Sequence, residues 1–270
     1  MTATTLAVRD SATMLRRSLK HIVRYPEMTV MLAGMPVIFL LLFVYVFGGT
    51  LGAGLGAPGG GRAEYLDYVV PGILMMTIAT AVTGTAISVA TDMTEGIVAR
   101  FRTMAIARVS ILTGHVVGSL IQTMLALVIV LAVALAIGFR PAADVPAWLG
   151  VIGVSAAATF GMTWLAVAMG LAARSVETAS NLPMPLTLLP FLSSGFVPTD
   201  SLPAGLRQFA EHQPFTPIIE TVRALLTGVP ADTGDVVAAL GWSGGIALLG
   251  YVWAKRRYNR EPRVTGGTGR

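Results

Sequence analysis

Apolar residues run along this chain in long blocks rather than in stripes. Met28–Gly61, Tyr68–Thr91, Val109–Phe139, Val145–Ala173, Thr178–Thr199 and Val236–Ala254 contain no Asp, Glu, Lys or Arg, and the shortest is 19 residues. At about 1.5 Å rise per residue, about 20 apolar residues cross a hydrocarbon layer roughly 30 Å thick, so each block predicts one spanning helix. A soluble helix of that length would need charges every few residues to make a wet face. The blocks have none, and the pattern predicts an all-α polytopic membrane protein with six transmembrane helices. The whole chain, 1–270, reads as one transmembrane domain: a surface helix over 1–27, spans within 28–254 and a basic tail over 255–270.

Before the first block, Val8, Ala12, Leu15, Leu19 and Ile22 recur at intervals of four and three, with Arg9, Arg16, Lys20 and Arg24 on other faces. That is an amphipathic helix lying along a membrane surface, as an anchor or as a partner contact. A signal-peptide core is about 7–15 apolar residues; the Met28–Phe47 run is longer and is expected to stay as the first span. Gly48–Gly61 is built of small residues and predicts a flexible loop. Pro36 and Pro71 should kink the first two spans, while Pro183, Pro185 and Pro190 should make the fifth short and distorted. Gly114 with Gly118, and Gly241 with Gly245, have the spacing that permits close helix contact in spans three and six. Trp148, Trp242, Tyr65 and Tyr68 near one boundary, and Tyr25 and Trp253 near the other, read as an aromatic belt.

Two connections do not fit a plain bundle. Thr91–Ser110 places Ile97, Phe101, Met104 and Ala105 on one helical face beside Arg100, Arg102 and Arg108, which suits docking into a partner's groove. Val197–Val229 is proline-rich and ends in a helical segment from Pro217 to Gly228, in which Glu220 and Arg223 stand three apart and can pair. Such a pair lets an apolar helix sink into the outer leaflet, so an outer re-entrant or interfacial helical hairpin is expected between spans five and six.

Charge sets the expected orientation. With the N-terminus in the cytoplasm, fifteen basic residues fall inside and four outside, namely Arg62, Arg140, Arg207 and Arg223. Six spans then return the C-terminus to the cytoplasm. The pI near 10.0 is accounted for by this topology and by contact with anionic membrane lipids, so no nucleic-acid partner is expected. Hydrophobic residues make up 54% and charged residues 12% of the chain, which excludes disorder.

Candidate chemistry narrows the function by elimination. There is no cysteine, and His21, His115 and His212 are far apart, so no metal site is expected. No Gly precedes either lysine at phosphate-loop spacing, so the chain does not hydrolyse ATP by that mechanism. No catalytic residue and no cofactor is assigned. The spans lack central charges, as ion-driven carriers would carry, and offer only mild polar groups. Of these, Thr77, Thr80, Thr83, Gln122 and Thr163 are candidate path-lining residues; bonding to backbone or to a neighbouring helix is the plainer role.

Taken together, the basic amphipathic helix, Glu95-Gly96 followed by Arg100 and Arg102 after span two, and Pro-x-x-Pro-Ile-Ile-Glu-x-x-Arg-x-Leu-Leu-x-Gly before span six resemble a permease of the type-2 ABC exporter superfamily. The likeness is to its daunorubicin-resistance branch and covers the whole chain. It implies a multi-pass subunit of a bacterial plasma (inner) membrane with both termini cytoplasmic. It further implies pairing with a second permease, identical or related, and with two separate ABC ATPase subunits that hold ATP and magnesium. On that resemblance Glu95, Gly96, Arg100, Phe101 and Arg102 couple to the ATPase, and Pro217, Glu220, Arg223 and Gly228 belong to the outer re-entrant helix. Met104-Ala105 stands where a Leu or Pro followed by a small residue is expected of the coupling region.

The activity implied is ATP-driven extrusion of a hydrophobic or amphiphilic compound, a drug or antibiotic first, with multidrug efflux as the consequence. A lipid, glycolipid or polysaccharide exporter of the same superfamily is the alternative. A non-transporting membrane scaffold that recruits a cytoplasmic partner is a second, and an intramembrane lipid-modifying enzyme lacks the polar groups it would need.

Overall fold

A computed structural model describes residues 26–55, 61–94 and 108–259. Within them the chain is helical and has no strand. Helix α1 covers Pro26–Leu42, passes through a π-helical turn at Phe43–Phe47 and continues as α2, Gly48–Ala53. Then come α3 (Arg62–Thr94), α4 (Arg108–Ala136) and α5 (Val145–Ala172). The next stretch is broken: α6 (Val176–Asn181), α7 (Met184–Leu188), a 3₁₀ turn at Leu189–Leu192 and another at Thr199–Ser201. It is followed by α8 (Ala204–His212), α9 (Phe215–Thr227) and α10 (Thr233–Asn259).

Among the described residues, five helical stretches are long and apolar enough to cross a membrane: Glu27–Ala53, Arg62–Thr94, Leu112–Ala136, Val145–Ala172 and Thr233–Tyr258. They match five of the six charge-free blocks. The block Thr178–Thr199 differs, and the reason is local. Pro183, Pro185 and Pro190 remove three backbone donors within eight residues and set their rings against the preceding turns, so no single α-helix survives. One proline alone does not have that effect here, since Pro36 and Pro71 sit inside α1 and α3, which continue past them.

Close contacts give each helix a direction. Gly48 packs on Arg62, so the α1–α2 stretch ends where α3 begins. At the other end of α3, Thr85 reaches Ser119 of α4 at 3.0 Å and Asp92 reaches His115 at 3.1 Å, so α4 runs antiparallel to α3. Gly170 near the end of α5 packs against Ala86 and Val89 of α3, so α5 is parallel to α3.

The most extensive interface is between α5 and α10. A Cβ on Gly161 would lie 2.6 Å from the Ser243 carbonyl, and one on Gly250 would lie 2.6 Å from the Leu165 nitrogen. These two glycines bring the backbones together, and their register makes α10 parallel to α5. Gly241 and Gly245, singled out by spacing, instead face open space; Gly114 and Gly118 are buried.

Two parallel helices joined in sequence require a return path. After Gly170, beside Ala86, the chain reaches Gly195, which packs on Gly72 so tightly that a Cβ there would collide with the Gly195 carbonyl. Along α3, Gly72 and Ala86 are separated by about 21 Å at helical rise. The broken stretch climbs that distance along α3. Phe191 and Phe196 stack at 4.8 Å and meet Phe39 (5.5 Å) and Phe43 (4.8 Å) of the first helix.

Candidate functional site

The densest polar cluster of the described residues lies at the Arg62 end of the bundle, where α9 packs among α3, α5 and α10. The α9 segment buries Ile218, Ile219, Val222 and Leu226. Arg223 is 13% exposed and fully engaged: Nη1 donates to Glu220 Oε1 at 2.6 Å, Nη2 to the carbonyls of Ser194 at 2.6 Å and Tyr68 at 3.2 Å, and Nε to Tyr68 at 3.3 Å. Its guanidinium also lies 3.9 Å from the centre of the Tyr68 ring. A planar five-donor cation is the side chain suited to serve two carbonyls and a carboxylate at once.

Two tyrosines complete the junction. Tyr68 donates to the Ser194 carbonyl at 2.8 Å and Tyr65, fully buried, to the Phe196 carbonyl at 3.1 Å. Thus three side chains from α3 and α9 hold the carbonyls of the turn Ser193–Phe196, where the proline-broken stretch leaves helical geometry. The Ser194 hydroxyl itself is buried without a hydrogen-bond partner. The sequence places both tyrosines in an interfacial belt; in the structure Tyr65 is buried and Tyr68 half-buried, and both bond to carbonyls of the neighbouring turn. Sequence spacing did carry a signal for them, since residues three apart share a helix face, here the face that also presents Gly72.

The remaining α9 residues fix its ends. Pro217 lies in the first turn, where a missing N–H costs nothing, and its carbonyl accepts from Thr221 at 2.7 Å. Gly228 adopts φ 72°, the left-handed cap that ends the helix, against Ala142. The Ala142 N–H donates to the Leu226 carbonyl at 2.9 Å, tying the α4–α5 loop to the same end. A cavity of about 350 Å³ opens beside Arg223, lined by Leu55, Glu64, Asp67, Tyr68, Pro198 and Thr227. Lower down, the Gln213 amide reaches the Leu189 carbonyl at 3.4 Å, so the α8–α9 turn lies deeper than the Ser193–Phe196 turn.

The candidate path residues separate into two groups. Thr77 and Thr163 are buried within the protomer and donate to the carbonyls of Ile73 (2.8 Å) and Thr159 (2.7 Å). That is the backbone role, and it withdraws them from any surface. Thr80, Thr83 and Gln122 are half-buried, and Thr80 donates to the Met76 carbonyl at 2.8 Å. Thr80 and Thr83 lie on one open stripe of α3 with Gly84, Ile87, Ser88 and Thr91, a row at helical spacing.

Glu95, Gly96, Arg100, Phe101 and Arg102 lie outside the described residues, as does nearly all of the amphipathic helix over 1–27. The helices that flank 95–107 are described, and Asp92 and His115 join them. Among the described residues no three His, Asp or Glu side chains converge on a metal-sized site.

Comparison with known proteins follows the same outline. Residues 10–227 match the family described as ABC-2 type transporter. A daunorubicin resistance ABC transporter permease protein from Streptomyces coeruleorubidus is 28% identical over 260 residues, covering 94% of this chain and 88% of that protein. A protein of Mycobacterium tuberculosis described as a probable doxorubicin resistance ABC transporter permease protein is 26% identical over 190 residues, 68% of this chain and 66% of its own length.

Proposed function

We propose, from the premise that the chain belongs to the ABC-2 type transporter family, that it is half of the membrane path of an ATP-driven exporter of hydrophobic or amphiphilic compounds. The chain is a multi-pass membrane permease subunit of an ABC transporter and not the ATPase. The finer reading adds two ABC ATPase subunits holding ATP and magnesium, and a second permease chain. Daunorubicin and doxorubicin, aromatic amphiphiles named for the relatives, are the substrate class to test first. The observation that carries the reading is the match along most of the chain to permeases of drug resistance. Spans without central charge agree with it, because they place the driving force outside the membrane.

The helix directions support a layout of six crossings. Parallel α5 and α10 need a crossing between them, and the proline-broken stretch is that sixth crossing. The basic residues put the Thr94 end and both termini in the cytoplasm and the Arg62 end outside. The α8–α9 pair is then an outer hairpin that dips inward at Gln213 and returns. Arg223, Tyr65 and Tyr68 hold the outer end of the broken crossing shut, and outward opening requires releasing the Ser193–Phe196 turn. Pro217, Glu220 and Gly228 shape and pair the helix that carries Arg223. Thr80, Thr83 and Gln122 keep their candidacy for the path, with Thr80 and Thr83 on the open stripe of α3. Glu95 and Gly96 turn the chain into the coupling helix, and Arg100, Phe101 and Arg102 meet the ATPase.

Affinity purification of the tagged chain in mild detergent, with identification of co-purifying subunits and an ATPase assay over a panel of amphiphiles, tests this. A co-purifying ABC ATPase whose hydrolysis responds to amphiphiles and falls on Glu95→Ala or Arg100→Ala supports the exporter. A chain that assembles with no ATPase overturns it in favour of a scaffold.

A further inference from the structure

We propose that Asp92 and His115 form a clasp that ties the end of α3 to the start of α4, on either side of the 95–107 connection, and so act as positioning residues for coupling. The inference rests on the reading of that connection as the ATPase contact. The other ion pairs among the described residues, Arg207 with Asp200 and Glu211 and Arg223 with Glu220, are local to one stretch at the Arg62 end. The Asp92–His115 contact is different: Nε2 lies 3.1 Å from Oδ2 across two helices, with the side chains only 18% and 24% exposed. Asp92 stands two residues before the end of α3 and His115 seven after the start of α4. A carboxylate and an imidazole kept at the membrane end of a hairpin are costly unless they meet.

A second tie follows farther in. The Thr85 hydroxyl donates to the Ala81 carbonyl at 3.0 Å and can accept from the Ser119 hydroxyl, also at 3.0 Å, so the hairpin is joined at two levels by polar groups as well as by packing. From the clasp outward α3 is unbroken, part of one continuous helix of 33 residues. It carries the open stripe from Thr91 to Thr80 and then Tyr68 and Tyr65, which hold the outer turn. From Asp92 to Tyr68 the helix is about 36 Å long at 1.5 Å per residue. A push on the connection, received through a hairpin that cannot splay, is therefore delivered along α3 to the outer junction. Without the clasp the two helix ends separate, and the same push is spent locally.

The test uses the complete complex, the chain with its co-purified ATPase, in proteoliposomes with rhodamine 6G as probe. Probe moved per ATP hydrolysed is the readout, since a merely structural loss would lower assembled protein but not this ratio. His115→Ala is expected to keep the ATPase bound and to lower the ratio at least 5-fold. The exchange D92H together with H115D should return it to within about twofold of the original. A His115→Ala complex with an unchanged ratio overturns the clasp, as does an assembled exchange complex that stays uncoupled. If His115→Ala does not assemble, the exchange decides alone, and its failure to assemble also counts against an interchangeable ion pair. An original chain that binds no ATPase, or moves no probe with ATP, overturns the proposed function and the clasp with it.

Discussion

Helices α5 and α10 and the broken stretch between them are neighbours in sequence and opposites in construction. The helix pair is joined by backbones that touch through Gly161 and Gly250, a contact of shape in which small residues replace the hydrophobic drive that lipid does not supply. The broken stretch is held at its outer end by hydrogen bonds from Tyr65, Tyr68 and Arg223 to main-chain carbonyls. A glycine-seated interface has one packing, and loosening it means opening a void. Hydrogen bonds to carbonyls can be exchanged for others or for water. The first construction suits a fixed frame, and the second suits an element that shifts between two positions.

That contrast can be broken from either side. The largest effect is expected at Gly161→Leu: the new side chain meets the Ser243 backbone, which cannot give way, and about 3 kcal/mol or more of stability should be lost. Thermal unfolding of the detergent-solubilised protein should show a large fall in midpoint or no folded protein.

Arg223→Ala comes next, because it leaves Glu220 without its cation and takes a donor from two carbonyls, a cost of about 2–3 kcal/mol. Arg223→Lys should recover only part, since a point charge cannot serve three acceptors in a plane. Here transport should suffer more than folding, which a comparison of unfolding midpoint with amphiphile efflux would reveal.

The smallest effect belongs to Tyr65→Phe, which deletes the single bond to Phe196 and should cost about 1 kcal/mol. Its midpoint should fall slightly while the protein stays folded.

The apolar blocks made the helices legible because membrane crossing is a demand on composition and length alone. The three prolines likewise announced a distorted fifth block. What they could not announce was where the broken pieces would be held, since that depends on carbonyls, and a carbonyl has no sequence signature. Arg223 shows the boundary well. Its pairing with Glu220 was readable from a spacing of three; its bonds to Ser194 and Tyr68, 29 and 155 positions away, were not. Tyr65 and Tyr68 were misread because an aromatic near a membrane boundary looks the same in sequence whether it faces headgroups or a neighbouring turn. The glycines teach a related point. Gly241 and Gly245 have the familiar spacing but lie on the open side of α10, whereas Gly250 packs on the Trp164–Leu165 backbone of α5, a relation visible only once the helices are placed.

The central claim is that the Ser193–Phe196 turn is an outer seal held by Arg223 and released by ATP. The chain has no cysteine, so Ser194→Cys introduces a single thiol at a site only 3% exposed. In membranes carrying the full complex, labelling from outside by a membrane-impermeant thiol reagent reads the seal directly. The account predicts protection without ATP, labelling during ATP turnover, and labelling without ATP when Arg223→Ala is combined with it. Equal labelling in all three conditions would contradict it.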